Sequence, residues 1–134
     1  MTTTPAPVLH ELAPAEALHL MAGVPVGRVV FTEGALPAIR PVHFFLDRGR
    51  IVFRIVGDER LVTALHNSVL AFQADDYDAA RGSGWTVTVT GYAARVDAVA
   101  EAARLTHRFP PAWHEDTYVF VVEPELVTGQ LLSR

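Results

Sequence analysis

The segment from residue 26 to residue 56 constrains the fold more than any other part of the chain. Its apolar residues follow a period of two, and turn-forming residues interrupt them first at positions 34–37 and then around Gly49. The segment therefore predicts two β-hairpins in series, with the strands VGRVVFT, AIRPVHFFLD and RIVFRIV. Both faces of the middle strand carry apolar residues, which is typical of a barrel wall that is covered on both sides.

Further strands and three short helices are predicted around these hairpins. SVLAFQAD, WTVTVTG and TYVFVVEPELVTG have strand patterns, and WTVTVTG alternates so regularly that it should have one dry face and one wetter face. Helices are predicted to begin at Pro14 and, with acidic N-caps, after Asp58 and Asp97. Residues 1–13 are predicted to be a flexible arm and residues 14–134 a single domain.

The predicted fold class is mainly β with short helices. Strands joined in sequence by tight turns are mostly antiparallel, and a closed sheet leaves no edge exposed. We therefore expect a six-stranded antiparallel β-barrel. Apolar wall residues such as Val29, Phe31 and Phe45 would have few helices to cover them, so we also expect a homodimer.

Composition excludes several classes of function. The net charge is -4 and the basic residues are scattered, which argues against nucleic acid as a partner. No apolar run approaches the roughly 20 residues of a membrane span, and the start of the chain lacks a basic region followed by an apolar one, so we expect a cytoplasmic protein without membrane contact. The chain has no cysteine, and its six histidines show no ligand spacing, so no metal site is predicted.

Three arginines are the charged candidates for a binding site. Arg60 lies in the first turn of a predicted helix, where free N–H groups and the helix dipole favour an anion, and Arg54 is a second cation within reach. The alternative is that both are ordinary solvated side chains. Arg40 is expected on an apolar-rich face, where it would need a ligand anion, Asp47, Glu33 or backbone oxygens as a partner.

Several local patterns resemble the FMN-binding split-barrel family of pyridoxamine 5'-phosphate oxidase-like proteins. They are VGRVVF, LPAIRPVHFFLDRGRIVFR, the short helix beginning at Arg60, WTVTVTG and EPELVTGQ, and together they run from about Pro14 to Gly129. The last of them is similar to the closing strand of a small actinobacterial-type branch of the family. The resemblance implies a homodimer with two flavin sites at its interface.

The resemblance also implies which residues hold the flavin. In the family the second and third strands line the flavin, a basic residue at the start of the next helix meets the phosphate, and further residues complete the pocket. The matching positions are Arg40, Pro41, Val42 and His43 on the second strand, Phe53, Arg54 and Ile55 on the third, Arg60 and Leu61 at the helix start, and Gln73, Trp85 and Trp113 elsewhere.

Simpler structural roles compete with ligand binding for three of these residues. His43 lies between apolar neighbours and is expected to line the site as a core or interface histidine, not to act as an acid or base. Trp85 begins an alternating strand, where a core role is the usual one, whereas Trp113 follows two prolines in a loop and is the better pocket wall. No side chain is predicted to be catalytic.

The leading functional hypothesis is an FMN-dependent oxidoreductase acting on a small-molecule substrate. The chain lacks the long C-terminal segment of true pyridoxamine 5'-phosphate oxidases, so vitamin B6 oxidation is not expected. The alternative is a non-enzymatic module that binds or senses flavin or the deazaflavin coenzyme F420. A ligand-free structural dimer is a third hypothesis, which requires Arg54 and Arg60 to be used in internal ion pairs.

Overall fold

The computed structural model describes residues 8–111 and 116–133. Within these residues the chain forms seven strands and three helices. In chain order they are β1 (Val8–Leu12), α1 (Pro14–Met21), β2 (Val26–Glu33), β3 (Leu36–Asp47), β4 (Arg50–Val56), α2 (Glu59–Leu65), β5 (Ser68–Asp78), β6 (Ser83–Arg95), α3 (Val99–Thr106) and β7 (Thr117–Ser133).

Six of the strands close into a ring. The order is β7-β4-β3-β2-β5-β6, and the last strand, β6, pairs with the first, β7, which closes the ring. Every one of these ladders is antiparallel. The predicted six-stranded antiparallel barrel is therefore confirmed.

The N-terminal boundary differs from the prediction. Residues 8–12, which the sequence assigns to a flexible arm, form β1 and pair antiparallel with residues 129–133 of β7. The strand adds to the sheet outside the closed ring. Residues 1–7 of the predicted arm lie outside the described residues.

Both predicted hairpins are confirmed. Glu33 pairs with Leu36 across Gly34 and Ala35, and Asp47 pairs with Arg50 across a second two-residue loop. Each loop has positive φ at both of its residues, as the right-handed twist of the flanking strands requires.

The helix starts follow the predicted pattern at two of three places. Pro14 occupies the first turn of α1, and the Asp58 carboxylate accepts a hydrogen bond from the Leu61 N–H at the start of α2. The prediction that Asp97 caps α3 is wrong, because Ala98 is the N-cap residue and the Asp97 carboxylate forms an ion pair with Arg95 at 3.1 Å.

The main core fills the inside of the barrel. Val87 and Val89 of β6 are fully buried while the alternating residues Thr86, Thr88 and Thr90 are only half-buried, so the predicted dry and wet faces are confirmed. Val29 and Phe31 are also buried in this core, and they are therefore not the uncovered wall that the sequence suggested. The helices α1 and α2 contribute buried residues to the same cluster.

A smaller cluster, called here the outer cluster, joins α3 to the outside of the barrel. It consists of Val52, Leu105, Phe109, Val119 and Val121, with Phe45 and Val96 packed against it. Phe45, the third residue of the predicted uncovered wall, is thus covered within the same chain. None of the helices in the described residues is long and apolar enough to cross a membrane.

Candidate functional site

A groove opens where β3 and β4 separate. The two strands pair from Asp47 and Arg50 at the hairpin up to His43 and Arg54, and the ladder ends there. Beyond this point β3 remains paired with β2, while β4 continues along β7.

Pro41 explains why the pairing ends. The Phe44 N–H donates to the Pro25 carbonyl on the β2 side, so by alternation the backbone groups of His43 and residue 41 face β4. The next hydrogen-bonded pair after His43 and Arg54 would join residue 41 to Val56, and proline has no N–H to donate. The separation of the strands therefore follows from the sequence.

The groove has a volume of about 360 Å³, at the lower end of the range for small-molecule sites. This β3–β4 groove is lined by Arg40, Pro41, Val42, His43, Arg54, Ile55 and Val56. The structure thus brings together six of the twelve residues that the sequence predicts for the site, and it adds Val56. Val42 and Ile55 have buried side chains, so they present mainly backbone to the groove.

Arg40 differs from its predicted environment. The sequence predicts an apolar-rich face and an obligatory partner, but the side chain is exposed and enters no ion pair or hydrogen bond found within residues 8–111 and 116–133. Asp47, one of its predicted partners, is bound instead by three other arginines. The reason is that Arg40 lies in the part of β3 that pairs with β2 but not with β4, because the ladder to β4 begins at His43. Among the described residues nothing therefore occupies the Arg40 guanidinium.

Arg54 is half-buried at the other side of the groove. Its Nη1 donates a hydrogen bond to the Pro110 carbonyl at 2.5 Å, and its guanidinium carbon lies 5.0 Å from the centre of the Phe109 ring. His43, which is paired with Arg54 across the ladder, is exposed and not in the core. The two side chains lie side by side on the outer face of the sheet.

Two predicted lining residues have side chains in the core. Phe53 is fully buried, with its ring centre 5.4 Å from that of Phe120 and 5.9 Å from that of Phe72. Leu61 is also buried in the main cluster. Successive side chains of a strand point to opposite faces of the sheet. Phe53 therefore points into the core, and its neighbour Arg54 points outward. Neither side chain lines the groove.

The remaining predicted residues lie away from the groove or outside the described residues. Gln73 on β5 accepts a hydrogen bond from Arg28 and is 3.4 Å from the Thr88 hydroxyl, while Trp85 on β6 packs against the main core. Arg60 is exposed in the first turn of α2, four residues after Val56. Trp113 lies in the segment 112–115, which is not among the described residues.

A cluster of ion pairs lies beneath α3 and not in the groove. The Asp47 carboxylate is buried and accepts hydrogen bonds from Arg50, Arg104 and Arg108. The bond from Arg104 is the main cause that lowers the pKa of Asp47, against the effect of burial. Arg104 also binds Glu101 and lowers the pKa of that carboxyl group. The sequence analysis missed this cluster, because Asp47 and Arg104 are 57 positions apart.

Comparison with known proteins agrees with this geometry. The profile of the family described as pyridoxamine 5'-phosphate oxidase matches residues 13–131. An uncharacterized protein of Mycobacterium tuberculosis, Rv0080, is 42% identical over 127 residues, which cover 89% of this chain and 82% of that protein. The chain therefore belongs to the pyridoxamine 5'-phosphate oxidase family.

Solved structures show the same fold. The FAD-binding protein from Mycobacterium smegmatis is 30% identical, with a TM-score of 0.76 over 91% of this chain and 98% of its own. A FAD-binding protein from Mesorhizobium loti is 15% identical, with a TM-score of 0.75 over 96% of this chain and 100% of its own. At that identity the second likeness concerns the fold alone.

Proposed function

We propose that this chain is a flavin-dependent oxidoreductase that binds FMN in the β3–β4 groove. The observation that carries the proposal is the separation of β3 and β4 beyond His43, which leaves strand backbone unpaired beside two guanidinium groups. Unpaired backbone can hydrogen-bond the donors and acceptors at the edge of a flavin ring, and arginine binds a phosphate with two parallel bonds.

The family and its relatives support flavin as the ligand class. The Mycobacterium smegmatis relative binds FAD, and FAD contains the whole of FMN. The coenzyme F420 shares the tricyclic ring and the phosphorylated ribityl chain, so it is the alternative ligand. Absorbance titrations with FMN, FAD and F420 test the choice, and failure of all three to bind would overturn the proposal.

The phosphate contact is assigned by comparing FMN with riboflavin, which lacks the phosphate. Arg40 and Arg54 line the groove, and Arg60, the phosphate contact that the sequence predicts, lies in the first turn of α2. Alanine at a residue that binds the phosphate should weaken FMN about 10- to 100-fold, the usual worth of a charged hydrogen bond, and leave riboflavin binding unchanged. Arg81→Ala is the control, because Arg81 is 82% exposed at the β5–β6 turn.

Turnover separates an enzyme from a binding module. The flavin would carry the redox chemistry, and the residues of this chain would bind it, orient it and shape access to it. Steady-state oxidation of a nicotinamide donor by the flavin-loaded protein supports the oxidoreductase. Tight flavin binding without turnover of any donor would favour the non-enzymatic module.

We also propose that the chain forms a homodimer through a row of residues on the outer face of the sheet. Ile39, Val30, Ala71, Thr90 and Leu126 are cross-strand neighbours in that order, from β3 across to β7. Ile39 is 63% exposed and Leu126 58% exposed, which leaves an apolar stripe open to water. The stripe adjoins the groove at Ile39, so a second copy on this face would lie beside the bound flavin.

A charge in the stripe tests the homodimer. Ile39→Glu should convert a dimer to a monomer in light scattering after size-exclusion chromatography and should weaken flavin binding. Val99→Glu is the matched control, because Val99 is 85% exposed on α3 and is not part of the stripe. A monomeric wild-type protein, or a dimer insensitive to Ile39→Glu, would contradict this interface.

A further inference from the structure

The turn that follows α3 reaches across the outside of the barrel to one residue of the groove. Pro110 accepts the hydrogen bond from Arg54 through its carbonyl oxygen, and Phe109 presents its ring to the same guanidinium at 5.0 Å. The other groove arginine, Arg40, is exposed and has no such contacts within the described part of the chain. The two cations of the groove therefore differ in how firmly they are held.

Phe109 is itself held in place from two sides. It is buried in the outer cluster with Leu105 and Val52, and its ring centre lies 4.7 Å from that of Phe45 on β3. A buried ring packed on a strand offers a fixed surface to a cation. Arg54 thus contacts a buried and packed ring, although the turn after α3 is far away in sequence, with Pro110 56 positions from Arg54.

Asp47 anchors the same turn through two arginines. Arg104 binds the Asp47 carboxylate with Nη2 at 3.0 Å and Nη1 at 3.4 Å, and Arg108 binds it at 3.3 Å. The Arg108 guanidinium also lies 4.0 Å from the centre of the Phe45 ring. The carboxylate therefore fixes the residues immediately before Phe109 against the β3–β4 hairpin.

We infer that Phe109 and Pro110 are positioning residues that hold Arg54 ready for the anionic group of the flavin, and that Asp47 maintains this arrangement through Arg104 and Arg108. A free arginine loses rotamer freedom when it binds an anion, whereas the contacts with Phe109 and Pro110 already restrict the Arg54 side chain. The bond to Pro110 uses one of the five N–H donors of the guanidinium, so donors remain for a ligand. This inference rests on the proposed function.

A double-mutant cycle with FMN as the probe tests the positioning role. In the wild-type background Phe109→Leu should weaken FMN binding about 10-fold, which is about 1.4 kcal/mol. If Phe109 acts through Arg54, the same substitution in the Arg54→Ala background should change FMN binding by less than about 2-fold. An equal loss in both backgrounds would overturn the inference.

Leu105→Val is the control for a merely structural effect. Leu105 is fully buried in the same outer cluster, but the contacts found for Arg54 are with Phe109 and Pro110. The variant should lower the melting temperature about as much as Phe109→Leu does and leave FMN affinity within about 2-fold of the wild type. A loss of affinity equal to that of Phe109→Leu would count against positioning.

A second readout needs no flavin. Nitrogen-15 NMR of the Arg54 guanidinium reports rotation about its Cζ–Nε bond, and a held guanidinium gives separate Nη signals. We expect separate signals in the ligand-free wild type and averaged signals in both Phe109→Leu and Asp47→Asn. If no flavin binds but these signals behave as expected, the proposed function fails while the positioning stands. Averaged signals in the wild type would overturn the positioning itself.

Discussion

Replacing Asp47 with asparagine removes one buried charge from the centre of the cluster that holds α3 to the barrel. The residue is only 7% exposed, and its carboxylate accepts hydrogen bonds from three arginines. Asparagine keeps the shape of the side chain and one acceptor oxygen but loses the charge. The substitution therefore measures the electrostatic part of the attachment.

The expected loss is moderate because the arginines are less buried than their partner. Charged hydrogen bonds are worth about 1.5–3 kcal/mol each, and together they offset the cost of burying the carboxylate. The three arginine side chains are 27% to 47% exposed, so water can replace part of the hydrogen bonding that they lose with the Asp47 charge. We expect a decrease of about 2 kcal/mol in the free energy of unfolding, which corresponds to a melting temperature about 7 °C lower for a chain of this length.

The pH dependence distinguishes this cause from a change of packing. The arginines hold the pKa of Asp47 below its ordinary value, so as the pH falls the unfolded chain takes up the proton first, at about pH 3.9. The stabilisation is therefore complete above that pH and is lost as the pH falls through the pKa of the folded state. In urea unfolding, the difference in free energy of unfolding between wild type and Asp47→Asn should be constant from about pH 7 to about pH 5.5 and smaller near about pH 3.

Two results would refute this reasoning. If the difference in free energy of unfolding is the same at about pH 3 as at about pH 7, the ionised carboxylate is not its cause. A loss of the same size in Asp97→Asn would mean that burial of the carboxylate is irrelevant, because Asp97 is 70% exposed and an ion pair in contact with water contributes little. We expect Asp97→Asn to change stability by less than about 0.5 kcal/mol.

Three further substitutions test the barrel and the groove. Gly91→Ala would place a Cβ atom 1.9 Å from the carbonyl oxygen of Glu123, so we expect a loss of about 3 kcal/mol or more in thermal or urea unfolding. Phe53→Leu should lower stability by about 1–3 kcal/mol but leave FMN affinity unchanged, because the Phe53 side chain lies in the core. Pro41→Val restores a backbone donor opposite Val56, so the ladder should extend and FMN binding should weaken, with stability retained within about 1 kcal/mol.

The barrel is predictable from sequence because its strands carry local signals. Alternation and turn residues define both hairpins, and the regular pattern of β6 is sufficient to identify its dry face. The sequence analysis missed β1 for the opposite reason. The apolar residues of its sequence VLHEL do not alternate with polar ones, and the segment becomes a strand only by pairing with residues 129–133 at the far end of the chain. Such a strand is fixed by tertiary pairing and not by its own pattern.

The predicted site residues and the residues that line the groove differ for two physical reasons. A resemblance transfers a run of residues such as Phe53 to Ile55 as a block, whereas a strand sends alternate side chains to opposite faces, so the block divides between core and groove. Alternation alone would have removed Phe53 from the side-chain list. The second cause is sequence distance, because Arg54 and Pro110 are 56 positions apart and their contact has no local signal.

Pro41 connects the pairing of the strands to the formation of the groove. As a residue of β3 it is tolerated because its missing N–H faces away from β2, and this same property ends the pairing with β4 at His43 and Arg54. The opened edge would be a liability in an isolated sheet, since unpaired strand backbone invites pairing with other chains. Here it lies beside two guanidinium groups, one without a partner in the described part of the chain and one held by the turn after α3. A single residue thus creates the opening, and a distant helix determines how one of its cations is presented.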